Sequence, residues 1–194
     1  MGSTSVSFLD RLRDATPSSK EWSRLQEIYL PLIRYWLMRV PEVGDEANDL
    51  AQDVMVVLFR ELRSFQRQRD GSFRAWLRQI TLNRIRAFQK RRRQQPLAGG
   101  AEQFDHLLGQ LEDSNSDLAR EWDVDHDKHV LKKLLNIVQP DFEAKTWEAF
   151  RRFGIEDRSA ATVAADLGLS ESAVIQAKFR VMKRLREEAG ELID

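Results

Sequence analysis

The chain has 194 residues, 42% hydrophobic and 32% charged, enough to bury cores but better suited to two small domains than to one large one. It has no cysteine and no run of eighteen apolar residues, which excludes disulfide staples, thiolate metal sites, thiol redox switches and a membrane span. Thirty-one basic and thirty-one acidic residues cancel, so net charge alone does not point to nucleic acid.

In chain order, the opening Met1-Gly2-Ser3-Thr4-Ser5-Val6 lacks the basic stretch and apolar block of a secretion signal, so a soluble, cytoplasmic protein is expected. Trp22, Leu25, Ile28, Tyr29, Leu32, Ile33, Trp36 and Leu37 recur at three-and-four spacing and predict a helix with one buried stripe. Pro31 falls inside it and predicts a bend or a restart. After Pro41 and Gly44, Asp45-Glu46-Ala47-Asn48-Asp49 opens a second helix whose stripe is Leu50, Val54, Val57, Leu58 and Leu62. Residues 64–72 read as a loop containing the turn pair Asp70-Gly71. A third helix starts near Ser72, carries Phe73, Trp76, Leu77, Ile80, Ile85 and Phe88 on one side, and ends in Lys90-Arg91-Arg92-Arg93 before Pro96 and Gly99-Gly100.

Charge then inverts. Eleven basic residues from Arg63 to Arg93 face only Asp70, whereas nine acidic residues from Glu102 to Asp127 face only Arg120. Residues 94–125 read as an acidic linker with a short helix near 104–111 and nothing that demands a core. Helical pattern resumes over 129–138, breaks at Pro140, returns over 142–153 with Gly154 as a C-cap, and continues in two helices over 160–167 and 171–188. No alternating strand pattern occurs. The expected fold is all-α: a first helical domain over residues 1–95, an acidic linker over 96–126 and a second helical domain over 127–194.

The sharpest local signal lies at 160–178. A helix-turn-helix needs a small residue where its helices cross, a residue that tolerates positive φ in the turn, and a branched apolar residue locking the second helix. Ala164, Gly168 and Val174 meet these needs, with Ser170 as N-cap. Ser172, Ala173 and Gln176 would then face a DNA major groove, with Lys178, Arg180, Lys183, Arg184 and Arg186 able to meet its phosphates and Ser170 counted with the DNA-binding residues at the helix start. A plain helical hairpin with a charged outer face is the competing account.

A second signal is the interleaving of Phe65, Phe73 and Trp76 with arginines, which offers stacking faces for unpaired bases and cations for their phosphates. Helical period favours a core role for Phe73 and Phe88 and leaves Trp76 open. Asn83 is either a base-edge reader or an idle surface amide. A third signal is the acidic start, where Asp49 and Asp53 share a face with Gln52 beside them. On spacing alone, dipole compensation is favoured over a docking patch or an acid-base or metal site. With no histidine nearby, no nucleophile constellation and no phosphate-binding glycine loop, an enzyme is not expected. His126 and His129 could share a helical face as metal ligands, but two solvated histidines at a linker boundary is the preferred reading.

These stretches jointly resemble the small extracytoplasmic-function (group 4) sigma factors of the sigma-70 family. Asp45-Glu46-Ala47-Asn48-Asp49-Leu50-Ala51-Gln52-Asp53-Val54 resembles their core-polymerase-binding motif, with Asn48 where glutamate is usual and Met55 where an aromatic is common. Residues 71–84, Gly-Ser-Phe-Arg-Ala-Trp-Leu-Arg-Gln-Ile-Thr-Leu-Asn-Arg, resemble the −10-reading segment, and residues 160–178 the −35-reading module. Ser7-Phe8-Leu9-Asp10-Arg11-Leu12 and the strings around Trp122 and Trp147 are similar to a subgroup typical of planctomycete-type bacteria.

The resemblance implies that Asp45, Asp49, Gln52 and Asp53 dock on the clamp helices of the RNA polymerase largest subunit, with the flap as a second contact. It implies that the loop from Phe65 to Ser72, together with Phe73, Trp76, Asn83, Arg84, Lys90 and Arg91, holds the melted −10 strand and a base flipped from it. Melting is then a binding reaction without nucleotide hydrolysis or cofactor. The acidic linker would either mimic nucleic acid in a basic polymerase channel or serve as a solvated spacer. Promoter DNA and RNA polymerase core are the expected partners, an anti-sigma protein is a conceivable third, and the free chain is expected to be a monomer. The alternative is a stand-alone helix-turn-helix regulator that uses its first half for dimerisation or ligand binding.

Overall fold

The structure, a computed structural model, describes residues 12, 16, 19–41, 43–65, 72–93 and 101–189. Among them there is no strand, and the all-α expectation holds. Among the described residues eight α-helices are delimited in order: α1 Lys20–Met38, α2 Ala47–Glu61, α3 Ser72–Arg93, α4 Ala101–Glu112, α5 Asp117–Val138, α6 Ala144–Phe150, α7 Ala160–Leu167 and α8 Glu171–Ala189. By internal contacts the described residues fall into two units, with the boundary between Val130 and Leu131, inside α5.

In the first unit, α1 starts at Ser19, whose side chain accepts a hydrogen bond from the Trp22 amide at 3.1 Å. All eight stripe residues from Trp22 to Leu37 are buried, as their spacing predicts. The helix does not restart at Pro31. Pro31 and Glu27, whose carbonyl loses its donor, lie on the exposed face, while buried Ile28, Tyr29, Leu32 and Ile33 fix the helix on its other side. Gly44, at φ +46°, leads into a single 3₁₀ turn, Gly44–Glu46, and α2 then buries Leu50, Ala51, Val54, Met55 and Leu58. The third helix, α3, buries Phe73, Leu77, Ile80, Ile85 and Phe88.

The segment read from sequence as an acidic linker is folded instead. Residues 101–112 and 117–130 are helical, and Leu108, Leu111, Ala119, Trp122, His126 and Val130 are buried. Trp122 packs its ring 4.7 Å from that of Trp36. Ala119, Trp122, His126 and Val130 recur at three-and-four spacing, a narrow stripe that the surrounding carboxylates conceal in any reading of composition. The first unit therefore extends to Val130 rather than to residue 95.

In the second unit, Ser159 caps α7 by accepting from the Thr162 amide at 3.2 Å, and α7 ends at Gly168 with φ 63° and ψ 44°. Nothing lies within 4 Å of where a Cβ would project there, so glycine is required by backbone conformation rather than by space. Leu169 N–H donates to the Ala164 carbonyl at 2.9 Å, and Ser170 Oγ accepts from the Ala173 amide at 3.1 Å as α8 begins. Ala149, Val163, Ala164, Val174 and Ala177 form the buried centre, flanked by Phe153, Ala160, Leu167 and Leu169.

Gly154 is not the left-handed C-cap expected. It lies in a π turn, Arg151–Ile155, where an added Cβ would meet Phe150 ring carbons at 3.0 and 3.1 Å, and the positive φ belongs to Asp157, at 55°. Glu148 anchors this turn by accepting from Arg151 Nε at 2.8 Å and Arg152 Nε at 2.6 Å. The two guanidiniums hold its carboxyl down from 4.5 to about 2.

Trp122→Ala should lower stability to urea by about 3–5 kcal/mol, because it empties a fully packed indole site; a solvated spacer would lose under about 0.5 kcal/mol. For Glu148, a depressed folded-state value means stabilisation that is complete above the unfolded value and lost as pH falls from 4.5 towards 2. Glu148→Gln should accordingly flatten acid unfolding of the second unit in that window, as followed by Trp147 fluorescence against pH.

Candidate functional site

On the first unit, the acidic start of α2 is a surface feature. Asp45, Asp49, Gln52 and Asp53 are all exposed. Asp49 and Gln52 form one wall of a groove of about 620 Å³ whose other wall, on α1, includes Pro31, Tyr35 and Met38. Tyr35 is 48% and Met38 60% exposed, so the carboxylate face adjoins apolar surface that no reading of the acidic motif included. The only available signal was that Tyr35 and Met38 fall off the buried stripe of α1. Asp45 does not line the groove. Asp53 points to a different neighbour: its Oδ2 lies 4.0 Å from Arg91 Nη2 on α3.

The nucleic-acid candidates on α3 divide into three groups. Asn83 and Lys90 are exposed on one stripe with Gln79, whose amide donates to Asn83 Oδ1 at 3.1 Å. Arg91 is exposed, and Arg84 is half-buried with Nε lacking a hydrogen-bond partner among the described residues. Phe65 and Phe73 are core groups, 8% and 2% exposed, their rings edge-on at 5.6 Å. Trp76 is half-buried, 4.6 Å from Phe65 and 5.6 Å from Phe73. Of the three aromatics read as stacking platforms, Trp76 alone retains substantial surface, and the two phenylalanines back it. The side chain of Ser72 and the loop residues 66–71 lie outside the described residues.

The opposed charge blocks of the sequence meet in space. Arg74 Nη1 donates to both carboxylate oxygens of Asp127 at 2.9 and 2.8 Å, and its Nε lies 3.3 Å from Asp123. Arg78, 6% exposed, donates to Asp123 Oδ1 at 2.8 Å. Arg86 pairs with Glu112 on α4, and Arg39 with Glu121 on α5 at 2.6 Å. These arginines of α3 serve structure before any ligand arrives, because a desolvated guanidinium needs its carboxylate.

His126 and His129, expected to be solvated, both have protein partners. His126 is fully buried; its Nδ1–H donates to Asp127 at 2.9 Å and its Nε2 accepts from the Tyr29 hydroxyl at 3.3 Å, while His129 Nε2 donates to the Ile28 carbonyl at 2.7 Å. Burial alone would raise the Asp127 carboxyl, but hydrogen bonds from His126 and Arg74 outweigh it and hold the group below its usual range. Burial, with the charge of Asp127 added, pushes the Tyr29 hydroxyl well above its usual value. Among the described residues no cluster of three or more His, Cys, Asp or Glu is arranged to hold a metal.

On the second unit, α8 exposes Ser170, Ser172, Gln176, Arg180 and Lys183. Ala173 is half-buried, and so is Lys178, whose ammonium sits 5.1 Å over the Phe153 ring. The stripe that faces solvent therefore differs by a small rotation from the one expected, and it includes Ile175 and Phe179. Among the described residues no helix is long and apolar enough to cross a membrane.

Asp123→Ala should cost the first unit about 2–4 kcal/mol in urea unfolding, since Arg78 would remain buried without a carboxylate. Glu112→Gln, which breaks a pair on exposed ground, should cost under about 1 kcal/mol.

Residues 25–95 match the family model for sigma-70 region 2, a span that begins inside α1 and includes α2, α3, the groove between α1 and α2 and the stripe of α3. No curated protein matches the chain. Over residues 25–95 the chain is similar to sigma-70 region 2, a match that supports a sigma-70 family sigma factor with a role in transcription initiation.

Proposed function

We propose that the chain is an extracytoplasmic-function type sigma factor that reads a bipartite promoter, working in the cytoplasm as an accessory to polymerase rather than as an enzyme. The observation that carries this reading is the pairing, on one folded unit that includes the region 2 match, of an exposed groove lined by Asp49, Gln52 and Arg34 beside the acidic start of α2 with a separate exposed polar and basic stripe. Asp49 and Gln52, with Tyr35 and Met38 opposite, supply carboxylate, amide and apolar contacts to a basic polymerase helix pair, with Asp45 and Asp53 at the margins. Trp76 offers a ring for an unpaired base, Asn83 an amide for a base edge, and Arg84, Lys90 and Arg91 charges for the backbone.

The second unit supplies the upstream contact. Gly168 at positive φ sets the turn, the small residues Ala164 and Ala177 let α7 and α8 approach, and Ser170 caps α8 so that its first turns face outward. In this reading α8 lies in the major groove of the −35 element while Arg180 and Lys183 meet phosphates. The polymerase holds both contacts at once, and opening of the −10 duplex draws on stacking and phosphate contacts, on the order of 1–3 kcal/mol per stacked base. The free chain is a monomer, with an anti-sigma protein as the conceivable competitor for its polymerase surface.

Purified chain mixed with bacterial core polymerase on a genomic fragment pool should yield RNA with discrete 5′ ends that core alone does not produce. Asp53→Arg should weaken core association by about tenfold or more with unfolding stability within about 0.5 kcal/mol of the parent, because the position is exposed. Binding to core unchanged in that variant would remove Asp53 from the interface; absence of any core binding by the parent would end the proposal.

A further inference from the structure

Phe179 is 68% exposed, the most exposed large apolar side chain among the described residues, and Ile175, one turn earlier on the same helix, is 39% exposed. Neither is needed for the core of its unit, which Val174, Ala177, Val181 and Leu185 provide from the opposite face of α8. They share a solvent stripe with Ser172, Gln176 and Lys183, at offsets of three, four, seven and eleven residues from Ser172. Arg180, Lys183 and Arg186 are exposed around the pair, so the apolar surface sits inside a cationic frame. Among the described residues Arg180 has no ion-pair partner, which distinguishes it from Arg184, held by Asp141 and Glu188.

An apolar pair framed by exposed cations, of which Lys183 lies 4.0 Å from Glu187, fits a polyanion that displays an apolar group at a fixed depth. Duplex DNA meets this description. The C5 methyl of thymine is the one apolar group on the major-groove edges of the four bases, and phosphates flank the groove on both sides. Four residues of helix advance about 6 Å, close to two base-pair steps of about 3.4 Å. Side chains at positions 175 and 179 therefore address bases about two steps apart.

We infer that Ile175 and Phe179 are specificity-determining residues that contact thymine methyl groups in the upstream duplex element. The inference rests on the proposed reading of α8 as the helix that enters the −35 major groove. Gln176, between them on the stripe, is placed to pair with an adenine edge, so the element favoured by this surface is rich in A·T pairs. Lys178, turned over Phe153, is outside this contact.

The experiment uses the full chain assembled with core polymerase and a promoter library randomised only upstream, from which the preferred duplex element is selected. Each thymine of that element is then replaced by deoxyuridine, which deletes the C5 methyl and leaves base pairing intact. Affinity is expected to fall about 3- to 10-fold at one or two positions about two steps apart. Phe179→Ala should bind the thymine and deoxyuridine forms equally at one of them, Ile175→Ala at the other, and Phe179→Leu should keep most of the discrimination. Both positions are exposed, so thermal unfolding of these variants should match the parent. An element without A·T pairs, a parent indifferent to every deoxyuridine, or variants that keep full methyl sensitivity would each overturn the inference while leaving α8 as the upstream reader. If no upstream element is selected at all, the reading of α8 itself fails and the inference falls with it. Variants that lose binding to a partner protein but keep methyl discrimination would assign the patch to that protein instead.

Discussion

The first unit depends on a set of guanidinium-carboxylate contacts between α3 and α5. Arg74 forks onto Asp127, Arg78 is buried against Asp123, and behind them Trp122 and His126 fill the space against Trp36 and Tyr29. Ion pairs of this kind are poor sources of net stability, because desolvation cancels much of the attraction. Their effect is on register: Arg74 spans two carboxylates one turn apart, Asp127 through Nη1 and Asp123 through Nε, and so tolerates little rotation or sliding. With α3 fixed in register by α5, its outer stripe of Gln79, Asn83 and Lys90 is fixed as well. Trp76 is held in turn by Phe65 and Phe73.

The second unit solves a different problem with different means. It has few large buried side chains, and its central cluster is built from Ala149, Ala164 and Ala177 with two valines. Small residues allow close packing, as at Gly154, where a methyl group would sit 3.0 and 3.1 Å from Phe150 ring carbons and the ring would have to shift. Ion pairs at the periphery, Arg158 and Arg152 on Asp166 and Arg184 on Asp141, tie the segments around it. The outward face of α8 is thereby free of structural duty, and its side chains are available for recognition.

Much of this was legible in the residues. The stripes of α1, α2 and α3 repeat at helical spacing with strongly apolar residues, and Ala164, Gly168 and Val174 specify a tight helical turn by steric need, so local rules sufficed. The α5 segment was misread because its buried stripe is only Ala119, Trp122, His126 and Val130, set among Asp117, Glu121, Asp123, Asp125 and Asp127, which read as solvated. The pairing of those carboxylates with Arg74 and Arg78 is a long-range fact, separated by 45 residues or more, and no local period carries it. Phe65 was read as a stacking platform because aromatic residues among arginines look alike whether they face a base or another ring. At α8 the expected face was off by a small rotation, since Ala173 and Lys178 pack partly inward while Ile175 and Phe179 point out.

The internal neutralisation of α3 also sets how its unit responds to ionic strength. A cation that binds a phosphate contributes to salt dependence by liberating the small ions it displaces from the polyanion, and the slope counts such contacts. Arg74, Arg78 and Arg86 have already taken carboxylates as their counterions, so three of the eleven cations between Arg63 and Arg93 drop out of that count. A stretch of eleven cations on paper thus counts for about three fewer. In the proposed function its contact with nucleic acid would lean accordingly on stacking and hydrogen bonding, which electrolyte weakens far less.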